Sequence, residues 1–172
     1  DFGALPAPLA ATLTLLFCVI LAGYPAIAGW TYHVLGARRI PVTLAALPAL
    51  WTLTEWLRGW LFTGFPWISL GYAQVPGSPL AGYVPLLGIY GATFATVLSS
   101  GLIAVLWLQW QGVLAGSNAN GVGRAPLGSL FRHPSLVVLV ALWSGGYALQ
   151  QIDWTHRVGE PVSVSLLQGN VA

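Results

Sequence analysis

Glu55 and Arg58 stand three residues apart inside "TEWLRGWLFTGFPWISLGYAQ", residues 54–74. Trp56, Trp60, Phe62, Phe65, Trp67 and Tyr72 crowd around them. Residues three or four apart on a helix share a face, so Trp51, Glu55, Arg58 and Phe62 fall on one stripe. Two chemistries are open to that stripe. A self-contained Glu–Arg ion pair can lock the helix against its neighbours, or the two side chains can wall a polar pocket where Arg58 meets an anionic headgroup. The other reactive side chains lack the company that chemistry needs. Cys18 is alone in the apolar run "TLTLLFCVILAG", with no second cysteine for a disulfide and no CxxC or Cys/His spacing. A thiol nucleophile needs a base and surroundings that favour thiolate, so Cys18 reads as a small hydrophobe. His33, His133 and His156 lack spaced partners for a metal site. No catalytic residue, metal or cofactor is expected within these 172 residues.

The composition decides what must position the stripe. Hydrophobic residues make up 56% of the chain and charged residues 6%, whereas soluble domains carry roughly 25% charged residues. Six arginines, no lysine and four acids cannot cover a water-facing surface. The chain reads as an integral membrane protein. A pI near 9.0 rests on few groups, and no basic run exists to track a phosphate backbone, so no nucleic-acid partner is expected. With no methionine and no signal-peptide pattern, the chain reads as a segment of a longer protein.

A bilayer crossing takes about 20 helical residues. Four stretches qualify, at about 9–35, 42–62, 85–110 and 135–151. The spans must be helices, because lipid-exposed backbone has to satisfy its own hydrogen bonds, and the alternation of a membrane barrel is missing. An all-α membrane protein of four transmembrane helices is expected over 1–152. Arg38 and Arg39 lie between the first two spans, and Arg124 and Arg132 between the last two. Positive charge favours the cytoplasmic side, which puts residues 63–84 and the chain after Ile152 outside the cytoplasm. In the third span Gly88, Ala92, Thr96 and Ser100 recur every four residues, as do Gly91, Ala95 and Ser99. Such rows allow close helix approach in lipid. The connection "QGVLAGSNANGVGRAPLGSLFRHP" reads as a polar loop. Residues 153–172 change character: Val162, Ser163, Val164, Ser165 and Leu166 alternate with period two, which predicts a β-strand after a polar linker.

Ionisable groups cost about 2.5–3.5 kcal/mol each at mid-bilayer and less near its edge, so Glu55 and Arg58 should be paired or face a cavity. The segment 63–84 that follows is broken by Gly64, Pro66, Gly71, Pro76, Gly77, Pro79 and Gly82. It is nevertheless too apolar for a solvated loop, with Phe65, Trp67, Ile68, Leu70 and Tyr72. Trp and Tyr settle at headgroup depth. The segment is expected in the interface, either as an aromatic anchor or as a lipid-binding lip whose rings pack acyl chains while Arg58 handles the phosphate.

"PALWTLTEWLRGWLFTGFPWISLGYAQ", "SPLAGYVPLLGIYGATF" and the closing "VSVSLLQGN" resemble the apolipoprotein N-acyltransferase family along essentially the whole chain, and "FGALPAP" is similar to the family's segment before a membrane helix. The resemblance implies acyl transfer from a phospholipid donor to the α-amino group of the N-terminal cysteine of an apolipoprotein acceptor. It implies ping-pong chemistry through an enzyme thioester, with a Glu–Lys–Cys triad in an extracytoplasmic α/β nitrilase-like domain whose first strand is "VSVSLLQGN". It also implies a multi-pass protein of the bacterial inner membrane, a monomer, with its C-terminal end periplasmic. The triad would lie beyond Ala172, so this segment alone should be inactive. Trp67 in "GFPW" matches a tryptophan that the family places near the active-site mouth. Gly64, Phe65 and Pro66 shape that turn, Glu55 and Arg58 match "TEWLRGW", and Tyr72 completes the expected lipid portal. Two other readings stay open: a transporter fragment, which would show internal repeats and midplane polar groups, or a plain membrane anchor for an extracytoplasmic domain.

Overall fold

In the computed structural model, residues 5–36, 39–61, 64–114, 126–156, 158–160 and 163–166 are described. Five α-helices occur among them: α1 (Ala7–Leu35), α2 (Ile40–Arg58), α3 (Val84–Trp110), the short α4 (Leu127–Phe131) and α5 (Pro134–Gln150). Two 3-10 turns, Leu70–Gln74 and Pro79–Tyr83, lie between α2 and α3. A proline at one of the first two positions opens α1, α2, α3 and α5, where its missing N–H costs no helical bond. His133 caps α5, its Nδ1 accepting from the Ser135 amide at 3.3 Å. Gly36 closes α1 in the left-handed region at φ 59°.

The helix α3 is the centre of the molecule. It packs against α2 on one side and α5 on another, and both 3-10 turns rest on it, while α1 packs on α2. Its buried residues are Ala92, Thr93, Ala95, Ser99, Leu102 and Val105, so Ala92, Ala95 and Ser99 of the small-residue rows face neighbours, while Ser100 is exposed. Ser99 Oγ also accepts from Trp143 Nε1 of α5 at 3.1 Å. Gly88 departs from its row: at φ 65°, ψ −171° it breaks the helix near its start.

Three helical stretches are long and apolar enough to cross a membrane: Ala7–Leu35, Ile40–Arg58 and Pro79–Trp110. At 17 residues, α5 is shorter. Three or four apolar helices therefore stand where four were expected. Within α1, Leu15, Val19 and Ile27 are exposed, as lipid-facing side chains are.

Three expectations change. The second span stops at Arg58 rather than at 62, and Phe62 and Thr63 fall outside the described residues. The connection after α3 includes the helix α4, with residues 115–125, and so Arg124, outside the description. No strand occurs among the described residues: Ser163–Leu166 run without regular structure, and Leu166 is 95% exposed. A strand is stabilised by partners across a ladder, and none pairs with this segment in the described part. Val162 and residues 167–172 lie outside it.

Candidate functional site

The C-terminal end of α2 and the segment that follows it form a clasped, aromatic loop. Gly59 ends the helix, and the Phe65 amide returns to donate to the Arg58 carbonyl at 2.7 Å. Gly64 permits that return. It adopts φ 83°, and a Cβ there would collide with the Gly59 carbonyl. Phe65 meets Phe17 of α1 edge to face, with centroids 4.9 Å apart. The chain then turns at Trp67 and Ile68, which are 68% and 80% exposed. Pro66, Trp67, Ile68 and Tyr72 line an open hollow of about 300 Å³.

Ile68 sits at φ 61°, which is an outlier for a β-branched residue. Such backbone persists where its surroundings over-determine it, and the chain is held at the Ile68 carbonyl and again just after it. Arg58 Nη2 donates to the Ile68 carbonyl at 3.3 Å. Two residues on, the Leu70 amide donates to Glu55 Oε1 at 3.0 Å.

Glu55 is the organising group. It is 7% exposed, and its carboxylate takes three donors. Trp51 Nε1 and the Leu70 amide each reach Oε1 at 3.0 Å, and Thr93 Oγ1 of α3 donates to Oε2 at 2.8 Å. With its proton on Glu55, the Thr93 hydroxyl accepts from the Gly71 amide at 2.9 Å. Gly71 is required by this approach, since a Cβ would strike the Ile89 carbonyl and lie 3.0 Å from Thr93. Of the two arrangements left open for Glu55 and Arg58, the ion pair does not form. A carboxylate that three donors already satisfy does not need the cation, and the guanidinium turns to Ile68 instead. Glu55 and Arg58 do border a common hollow of about 120 Å³ with Tyr24, Pro25 and Trp51. Arg58 Nε is buried and has no hydrogen-bond partner among the described residues.

The far side of the loop is fixed to α5. Gly82 lies against Gly146, close enough that a Cβ on Gly82 would overlap the Gly146 carbonyl. Tyr83 Oη donates to the Leu142 carbonyl and Gln150 Nε2 to the Ser78 carbonyl, each at 2.7 Å.

The structure therefore gathers Glu55, Arg58, Gly64, Phe65, Pro66, Trp67 and Tyr72 at one end of the bundle, although only Pro66, Trp67 and Tyr72 share the exposed hollow. Thr93 was missed, and so was the bridging role of Gly71. A threonine among glycines and alanines of a packing helix gives no local signal, and its partner Glu55 is 38 residues away. Cys18 is exposed on α1, and no group of metal-ligating side chains occurs among the described residues.

Residues 1–102 match the family model described as the apolipoprotein N-acyltransferase N-terminal domain. Across 99% of its length the chain is 40% identical to an apolipoprotein N-acyltransferase of Nitrosomonas europaea. It is 40% identical to that of Chromobacterium violaceum over its whole length, and 40% identical to that of Methylococcus capsulatus over 94% of its length. The chain spans 29–30% of the length of these relatives.

Proposed function

The chain belongs to the apolipoprotein N-acyltransferase family, and from that premise we propose that it is the lipid-holding membrane part of an enzyme that acylates apolipoproteins. The reaction moves an acyl chain from a phospholipid to the α-amino group of an N-terminal cysteine. A nitrilase-like domain on the periplasmic side of the inner membrane carries the nucleophile and its acid/base partners. The 64–74 loop is the lip of the portal. Trp67, Ile68 and Tyr72 lie against acyl chains, Gly64, Phe65 and Pro66 set the turn, and the Arg58 guanidinium, which borders the hollow beside the loop, is a donor for the headgroup phosphate.

One observation carries this reading. Large apolar side chains project from the loop tip, while the backbone beneath them is fixed to α2 and α3. Ordinary exposed loops do not spend a buried carboxylate on holding an apolar tip outward. The break in α3 at Gly88 lies near the helix start, away from the mid-membrane position that a transporter site would favour.

The test is acyl transfer by the full-length membrane enzyme, from phospholipid to a peptide bearing a lipid-modified N-terminal cysteine. Trp67→Ala should lower the rate roughly tenfold or more, about 1.4 kcal/mol of transition-state stabilisation, with membrane insertion unchanged. An unchanged rate would remove Trp67 from the site.

A further inference from the structure

We infer that Glu55 and Thr93 are positioning residues, a clasp that fixes the Leu70–Gly71 backbone and so sets the pose of Trp67 and Ile68; the inference rests on the reading that this tip meets lipid. Neither residue reaches the exposed hollow, whose lining is Pro66, Trp67, Ile68 and Tyr72. Thr93 is fully buried and Glu55 nearly so. Both act on the tip through its backbone.

The loop is tethered on each side of its tip. The Phe65 amide is held by the Arg58 carbonyl, and the Leu70 amide by Glu55. Only residues 66–69 lie between these points, and within them the Ile68 carbonyl is gripped by Arg58. A segment this short has little freedom once both ends are set. The second tether is braced from α2 by the Trp51 indole and from α3 by the Thr93 hydroxyl. Thr93 Oγ1 donates to Glu55 Oε2 and accepts from the Gly71 amide, so it orients the carboxylate and holds the next residue of the loop at once. Losing it frees the Gly71 amide and one side of Glu55 together. Groups that act through a shared network show coupled rather than additive effects.

Thr93→Val in the full-length enzyme separates this role from packing, because it keeps the branched shape and removes the hydroxyl's donor and acceptor. The apparent KM for phospholipid should rise about fivefold or more, the factor expected for one net hydrogen bond, with a smaller change in kcat. Thr93→Ser should restore it. In a Trp67→Ala background the same substitution should have little further effect, since the pose it disturbs no longer matters. A Thr93→Val enzyme with wild-type KM would overturn the inference, as would a Thr93→Ser enzyme no better than Thr93→Val. If Trp67→Ala were silent while Thr93→Val still raised KM, the lipid-lip reading would fall and with it the pose argument.

Hydrogen exchange on the unmutated enzyme applies should the valine variant not accumulate. The Leu70 and Gly71 amides should exchange far more slowly than that of Trp67 at the tip. Equal exchange rates would overturn the clasp without any variant.

Discussion

At Glu55 the cost of burying a carboxylate beside lipid is offset by three donors rather than by a neighbouring cation. That assignment has a measurable consequence. Glu55→Ala leaves the Leu70 amide, the Trp51 indole and the Thr93 hydroxyl without their acceptor, and each unsatisfied buried donor costs about 1–3 kcal/mol. Arg58→Ala loses one long hydrogen bond at 3.3 Å. In thermal unfolding of the detergent-solubilised full-length protein, Glu55→Ala should therefore lower the midpoint more than Arg58→Ala. Equal losses would point back to an ion pair. The importance of Glu55 was legible, because a charged group in an apolar helix must find a partner. Two of its three partners were not. Spacing puts Trp51 and Arg58 beside it, whereas the other two donors come from 15 and 38 residues further along the chain, and sequence distance carries no mark of that meeting.

The helices were legible at the scale of the element, since long apolar runs bounded by proline and glycine have few other solutions. The loop was legible in kind: too broken for a helix and too apolar for solvent. Its two 3-10 turns were not, since they follow from where the backbone lands on α3 and α5. The Gly88 break was hidden for a related reason. A glycine in a small-residue row reads as a packing contact, and only its φ of 65° shows the other use. Glycines at the loop–α5 contact yield a prediction. Gly82→Ala would drive a methyl into the Gly146 carbonyl, and overpacking of this kind costs about 1–3 kcal/mol. The variant should unfold at lower temperature and exchange faster at Ser78–Tyr83, while Gly128→Ala on α4, with open space around it, should change neither. The strand expected at 162–166 illustrates the opposite limit. Alternation describes a face, but pairing needs a neighbour that the described residues do not supply.

For the whole molecule, the helices make a row, α1 on α2, α2 on α3 and α3 on α5, with the aromatic loop closing one end. Arginine placement orients that row, and we propose that the loop end faces the periplasm. In the full-length protein with Cys18 and every other native cysteine replaced by Ser, single cysteines replacing Arg39 or Phe131 should react with a membrane-impermeant maleimide only from the cytoplasmic face, and one replacing Gln74 only from the other. The reverse pattern would invert the topology and separate the loop from any periplasmic catalytic domain. Contact between lipid and the 64–74 loop is tested most directly by photocrosslinking of the full-length enzyme with a phospholipid carrying a diazirine on its acyl chain. Adducts mapped by mass spectrometry should concentrate on Trp67, Ile68 and Tyr72 and fall away when unlabelled phospholipid competes. Adducts spread along the exposed faces of α1 and α5, with none enriched at the loop, would contradict it.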